Sequence, residues 1–126
     1  MTILVDTSVL IDHLRGDDLA RQALADVARR GERLACSVVT RVEVLAGMRP
    51  AEEAATRRLL DALDWLDVDV AIAERAGLLA NRYLRSHPGV DPVDFIIAAT
   101  AEQHGAILWT RNVKHFPMLE DLAPPY

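Results

Sequence analysis

Along the chain, short unbroken apolar runs alternate with longer stretches in which apolar residues recur at helical spacing. Ile3, Leu4 and Val5 form the first run, and it stops abruptly at Asp6, Thr7 and Ser8. Such a run suits a strand covered on both faces, the kind found in parallel sheets wrapped by helices. Thr7 to Arg15 reads as a short helix with Val9, Leu10 and Leu14 apolar and Gly16 as its stop. Asp17 is placed to cap a second helix, carried by Leu19, Ala20, Ala23, Leu24 and Val27 and ended by Gly31. Arg33 to Ser37 is a second strand. Ser37 or Thr40 opens the next helix, which runs to Gly47, and Pro50 prevents its continuation.

Ala51 to Leu63 is expected as a helix with Leu59, Leu60 and Leu63 on one side and a Glu53 to Arg57 pair one turn apart. Trp65 to Val68 is a third strand, and Asp69 caps a long helix from Val70 to about Ser86. After a turn at His87, Pro88 and Gly89, Asp91 and Pro92 open another helix in the preferred cap-then-proline order, ending at Gly105. Ala106 to Trp109 is a fourth strand, followed by Thr110, Arg111 and Asn112. Leu122 to Tyr126, with two prolines, supplies an edge strand or an extended tail. Strands alternating with helices predict an α/β/α sandwich with a short, mainly parallel sheet of four or five strands, in one domain spanning residues 1–126.

Composition narrows the classes without choosing among enzymes. Hydrophobic residues make up 51% and charged residues 26%, which fits a globular protein and excludes the disordered class. No apolar stretch approaches the ~20 residues of a membrane span, and the N-terminus shows no basic region ahead of a long apolar core. Cys36 is the only cysteine, so no internal disulfide forms, in keeping with a cytoplasmic location. A net charge of -5 argues against holding nucleic acid on a broad basic surface. Nucleic acid as a substrate stays open, because a metal held by carboxylates can meet the phosphates in place of the protein.

Three acids stand where an element begins or ends near the same sheet edge: Asp6 after the first strand, Glu43 early in the helix after the second, and Asp94 in the first turn of the helix entering the fourth. Ligands collect outside the carboxyl ends of strands in open α/β sheets. Each acid also has a purely local reading. Asp6 can cap the first helix. Thr40 and Glu43 have capping-box spacing, and Asp94 can offset a helix dipole. If the three converge, their mutual repulsion is about 4 kcal/mol per close pair at an effective dielectric near 20, and a divalent cation removes it. Hard oxygen donors favour Mg²⁺ or Mn²⁺ over zinc. His13, His87, His104 and His115 lie at unrelated spacings and form no zinc pattern.

Four segments carry a resemblance to a known family: Ile3 to Ser8, Thr40 to Gly47, Asp94 to Ala101, and Leu108 to Phe116. In this order they resemble the PIN-domain ribonucleases, and among these most closely the VapC toxins of bacterial toxin-antitoxin pairs. The resemblance spans Ile3 to about Phe116. It implies a PIN-like fold and an endoribonuclease dependent on Mg²⁺ or Mn²⁺, acting on tRNA or ribosomal RNA. It also implies a homodimer inhibited by a cognate VapB-type antitoxin. Asp6, Glu43 and Asp94 match the family's acidic, metal-holding positions; Thr110 matches its small hydroxyl residue, with Thr7 and Ser8 in support. The fourth acidic position falls on Asn112, and His115 stands where many relatives carry another Asp, which puts a second tightly held metal in doubt.

Two alternatives remain beside this reading. A PIN-fold binding module without catalysis is motivated by Asn112 and His115. A phosphoryl-transfer enzyme on another α/β fold is motivated by an Asp after the first strand, though Ser8 stands where a phosphatase of that kind carries a second Asp, and no glycine-rich phosphate loop is present. Apolar side chains on the early helices, including Leu10, Leu14 and Leu19, are available to an antitoxin or a dimer partner, with ordinary core packing the favoured use.

Overall fold

A computed structural model describes residues 1–126. Its sheet has four strands: β1 (Thr2–Val5), β2 (Arg33–Ser37), β3 (Asp64–Leu66) and β4 (Ile107–Trp109). They lie in the order β3-β2-β1-β4, and every pairing is parallel. Leu4 sits opposite both Ala35 and Leu108. No fifth strand forms, and the prolines of the tail leave it irregular.

The helices that wrap this sheet are α1 (Thr7–Leu14), α2 (Asp18–Arg29), α3 (Val38–Ala46), α4 (Glu53–Asp61), α5 (Val70–Tyr83) and α6 (Pro92–His104). Side chains alternate across a strand, and here the alternation divides the core in two. Leu4, Ala35 and Leu108 join the side chains of α5 and α6, including Ile72, Phe95 and Ile97. Ile3, Val5 and Cys36 face the other way, onto Val9, Leu10, Leu24, Val27, Val44 and Leu60 from α1 to α4. The result is the expected three-layer α/β/α sandwich. No helix is long and apolar enough to cross a membrane.

Local chemistry explains most helix boundaries. Asp17, Ser37, Asp69 and Asp91 each accept a backbone N–H from the first turn of the helix they precede. Gly105 ends α6 in the left-handed conformation, φ 58°, which glycine adopts without a Cβ clash.

Three expectations are corrected and two that were open are decided. The third strand spans only Asp64–Leu66, because β3 has one partner and its pairing with β2 ends where Ser37 turns into α3. The helix expected from Ala51 to Leu63 begins as a 3₁₀ turn at Pro50–Glu52, with proline at its start, and the α-helical part is Glu53–Asp61. No Glu53–Arg57 pair forms; Glu52 instead meets Arg15 and Arg49, each at 3.8 Å. Ser37 rather than Thr40 caps α3, and the Thr40 hydroxyl, fully buried inside the helix, has no hydrogen-bond partner. Of the three early leucines, Leu10 is wholly buried and Leu14 packs on the core, leaving only Leu19 exposed.

Candidate functional site

The carboxyl ends of β1, β2 and β4 open onto a pocket of about 550 Å³ lined by polar and charged residues, Ile11 excepted. Asp6, Glu43 and Asp94 all line it, together with Thr7, Ser8, Asn112 and His115. The fold therefore gathers three acids that stand far apart in sequence.

Asp6 occupies the N-cap position of α1, yet its carboxylate makes no capping bond. The side chain turns instead to the segment after β4. The Thr110 hydroxyl donates to Asp6 Oδ2 at 2.7 Å, and the Ser8 hydroxyl donates to the same oxygen at 3.1 Å. Thr110 is fully buried and Asp6 only 5% exposed, so these bonds act with little competition from water. The backbone supports the arrangement: the Asp6 N–H donates to the Trp109 carbonyl at 2.9 Å, and the Arg111 and Asn112 N–H groups donate to the Ser8 and Thr110 hydroxyls.

Glu43 lies in the second turn of α3, and its Oε1 accepts a 2.6 Å bond from the Thr7 hydroxyl. The capping reading of Glu43 is thus replaced by a tie between α3 and the start of α1. Asp94 keeps its local role, since its Oδ2 accepts the Asp91 N–H at 3.3 Å in a capping box. The same oxygen lies 3.4 Å from His115 Nδ1. Burial pushes the Asp94 carboxyl up to about 6; the bond from the Asp91 N–H and nearby His115 oppose this, and the charge of Asp6 adds to it.

No three acidic, histidine or cysteine side chains close around one point as they stand. The donor set nevertheless fits a hard cation. Asp6 Oδ1, Glu43 Oε2 and Asp94 Oδ1 accept none of the hydrogen bonds that fix these side chains. The lone thiol, Cys36, is buried in the core away from the pocket and pushed up to about 12, chiefly by burial.

Comparison with known proteins places the chain in a family. The model of the PIN domain family matches residues 3–117. The chain belongs to the PIN-domain family. It is 48% identical over 123 residues to the ribonuclease VapC19 of Mycobacterium tuberculosis, covering 98% of both sequences. It is also 47% identical to the ribonuclease VapC10 of the same organism, over 98% of this chain and 92% of that one. Among solved structures, a toxin-antitoxin complex from Klebsiella pneumoniae superposes with a TM-score of 0.81 at 32% identity, with 98% of each chain covered. These relatives make the chain a VapC-type PIN protein, and the reading of a different α/β phosphoryl-transfer fold falls with them.

Three further charged side chains of this PIN domain line the pocket and escaped the sequence reading: Asp12, Asp91 and Arg111. Asp12 had a signal, since it stands four residues after Ser8 and so shares its helix face. Asp91 was legible only as a cap. Arg111 stood two residues after the fourth strand, in the region where loops meet ligands, but without an acidic or glycine pattern to mark it.

Proposed function

We propose that this chain is the ribonuclease toxin of a toxin-antitoxin pair, a Mg²⁺- or Mn²⁺-dependent endoribonuclease of tRNA or ribosomal RNA carried by residues 1–126 as one domain. The observation that supports this best is the convergence of Asp6, Glu43 and Asp94, delivered by three separate elements, on one polar pocket in a chain with ribonuclease relatives. In this reading Asp6, Glu43 and Asp94 hold the cation through their free oxygens. When bound, the cation offsets charge building on the phosphodiester and polarises it for attack by water.

The protein's own part is orientation. Thr110 and Ser8 fix the Asp6 carboxylate, and Thr7 fixes that of Glu43. The Asp91 N–H and His115 meet Asp94 at one oxygen and leave the other without a hydrogen bond. Asn112 brings an uncharged amide where a fourth acid would add repulsion, and it can donate to a water or a neighbouring carboxylate.

We further read the protein as cytoplasmic and homodimeric, with a cognate VapB-type antitoxin as its inhibitor. A cleft lined by carboxylates suits an arginine of that partner, and the Klebsiella relative was solved as a toxin-antitoxin complex.

The test is incubation of the purified protein with tRNA and ribosomal RNA, with and without Mg²⁺ or Mn²⁺. Cleavage is expected only with metal and not in Asp6→Asn. Cleavage that survives chelator or Asp6→Asn refutes the reading. Absence of both cleavage and metal binding favours a PIN-fold binding module.

A further inference from the structure

We propose that Arg111 grips a phosphodiester of the substrate strand and that Tyr126, acting with Asp12, positions it; the inference rests on the ribonuclease reading above. Five carboxylates line the pocket, and Arg111 is the one guanidinium among them. A polyanion entering such a pocket is attracted by a fixed positive group beside any cation, and the planar fork of arginine matches a phosphate.

Arg111 is held on one edge and one face. Its Nη1 donates to Asp12 Oδ2 at 3.0 Å, and the Tyr126 hydroxyl donates to the same oxygen at 2.7 Å. The Tyr126 ring lies 5.0 Å from the guanidinium carbon in cation–π contact. Burial and the Asp12 carboxylate push the Tyr126 phenol up to about 12, so its O–H remains a donor. Asp12 is the one carboxylate that Arg111 bonds, the Tyr126 hydroxyl is its other close polar partner, and the side chain is 45% exposed toward the pocket opening.

The contrast with other arginines sharpens the point. Arg75 binds Glu102 through two nitrogens, and Arg33 binds Asp64 through Nε, both away from the pocket. The backbone that presents Arg111 is also the one that fixes the first acid, because the Arg111 N–H donates to the Ser8 hydroxyl, which in turn donates to Asp6. A phosphate bound by the exposed part of the Arg111 guanidinium is therefore registered against Asp6 through a backbone held by two hydrogen bonds.

Binding of labelled total tRNA, measured over a series of salt concentrations in an Asp6→Asn background, tests the proposal. Arg111→Ala is expected to weaken binding roughly tenfold to a hundredfold and to make the log–log salt slope shallower by about 0.7 to 0.9, the change for one lost phosphate contact. Arg111→Lys keeps the slope and loses part of the affinity, since lysine retains the charge without the fork. A slope unchanged in Arg111→Ala overturns the phosphate role. Tyr126→Phe keeps the stacked ring and loses only the hydroxyl bond; its expected weakening, roughly twofold to fivefold, vanishes when Arg111 is already alanine. Additive losses in that double variant overturn the positioning role. Should the wild-type protein cut no RNA with any metal, the ribonuclease reading fails, while the salt slope still decides whether Arg111 meets phosphate.

Discussion

Replacing Thr110 with valine removes one hydroxyl and changes almost nothing in volume, so it isolates the bond that anchors Asp6. Thr110 is wholly buried, and its Oγ1 donates to Asp6 Oδ2 at 2.7 Å. A hydrogen bond to a charged acceptor contributes about 1.5–3 kcal/mol. The Asn112 N–H also loses its acceptor, but Asn112 is exposed and water can replace that bond at little cost. For 126 residues, an unfolding entropy of about 2.1 cal/mol/K per residue sums to about 0.26 kcal/mol/K, so the expected fall in Tm is about 6–11 °C. Thermal melts followed by circular dichroism in chelator measure this without any contribution from metal. With metal present, loss of a group that orients a ligand typically lowers affinity or activity about 10–100-fold, and Thr110→Ser, which keeps the donor, should retain most of the cleavage. A Thr110→Val protein melting within about 2 °C of wild type would show that the bond does not anchor Asp6 and would refute the reasoning.

Two further outcomes follow from perturbed side chains elsewhere. Asp69 is held below the usual carboxylate range by the Ile72 N–H and by Gln103; a depressed folded-state pKa stabilises above the unfolded value and is lost as pH falls through the folded one, so Asp69→Ala should lower Tm at neutral pH and match wild type in strong acid. Cys36, fully buried and pushed up to about 12 by burial, should resist an aromatic disulfide reagent in the folded protein and react at the rate of unfolding in denaturant; rapid labelling under native conditions would contradict its placement in the core.

The layers of the fold were legible because the strands announce themselves as unbroken apolar runs and the caps as Asp or Ser before helical spacing. Asp17, Asp69 and Asp91 cap as expected. Of the three candidate acids, the pattern placed each at the correct sheet edge but could not say what its carboxylate touches. Asp6 could cap its helix and does not, because Thr110 offers a buried donor from a segment more than a hundred residues away. Glu43 could cap and instead meets Thr7. Asp94 does cap, through one oxygen. Local spacing holds no information on such long-range choices. The same reason hid Tyr126, since nothing in the sequence of the tail says that it returns to α1.

The pairing of β1 with β4 has a consequence for the order of events in synthesis. Leu4 lies beside Leu108, and Asp6 is fixed by Thr110, a separation of 104 positions. A loop of that length must close before the first acid is anchored, which is the slow kind of contact in folding. A chain still emerging from the ribosome therefore carries Asp6 without the residue that aims it. Whatever chemistry the pocket performs is withheld until Thr110 has been made and brought to β1, so a shorter growing chain is shielded from its own activity by topology alone.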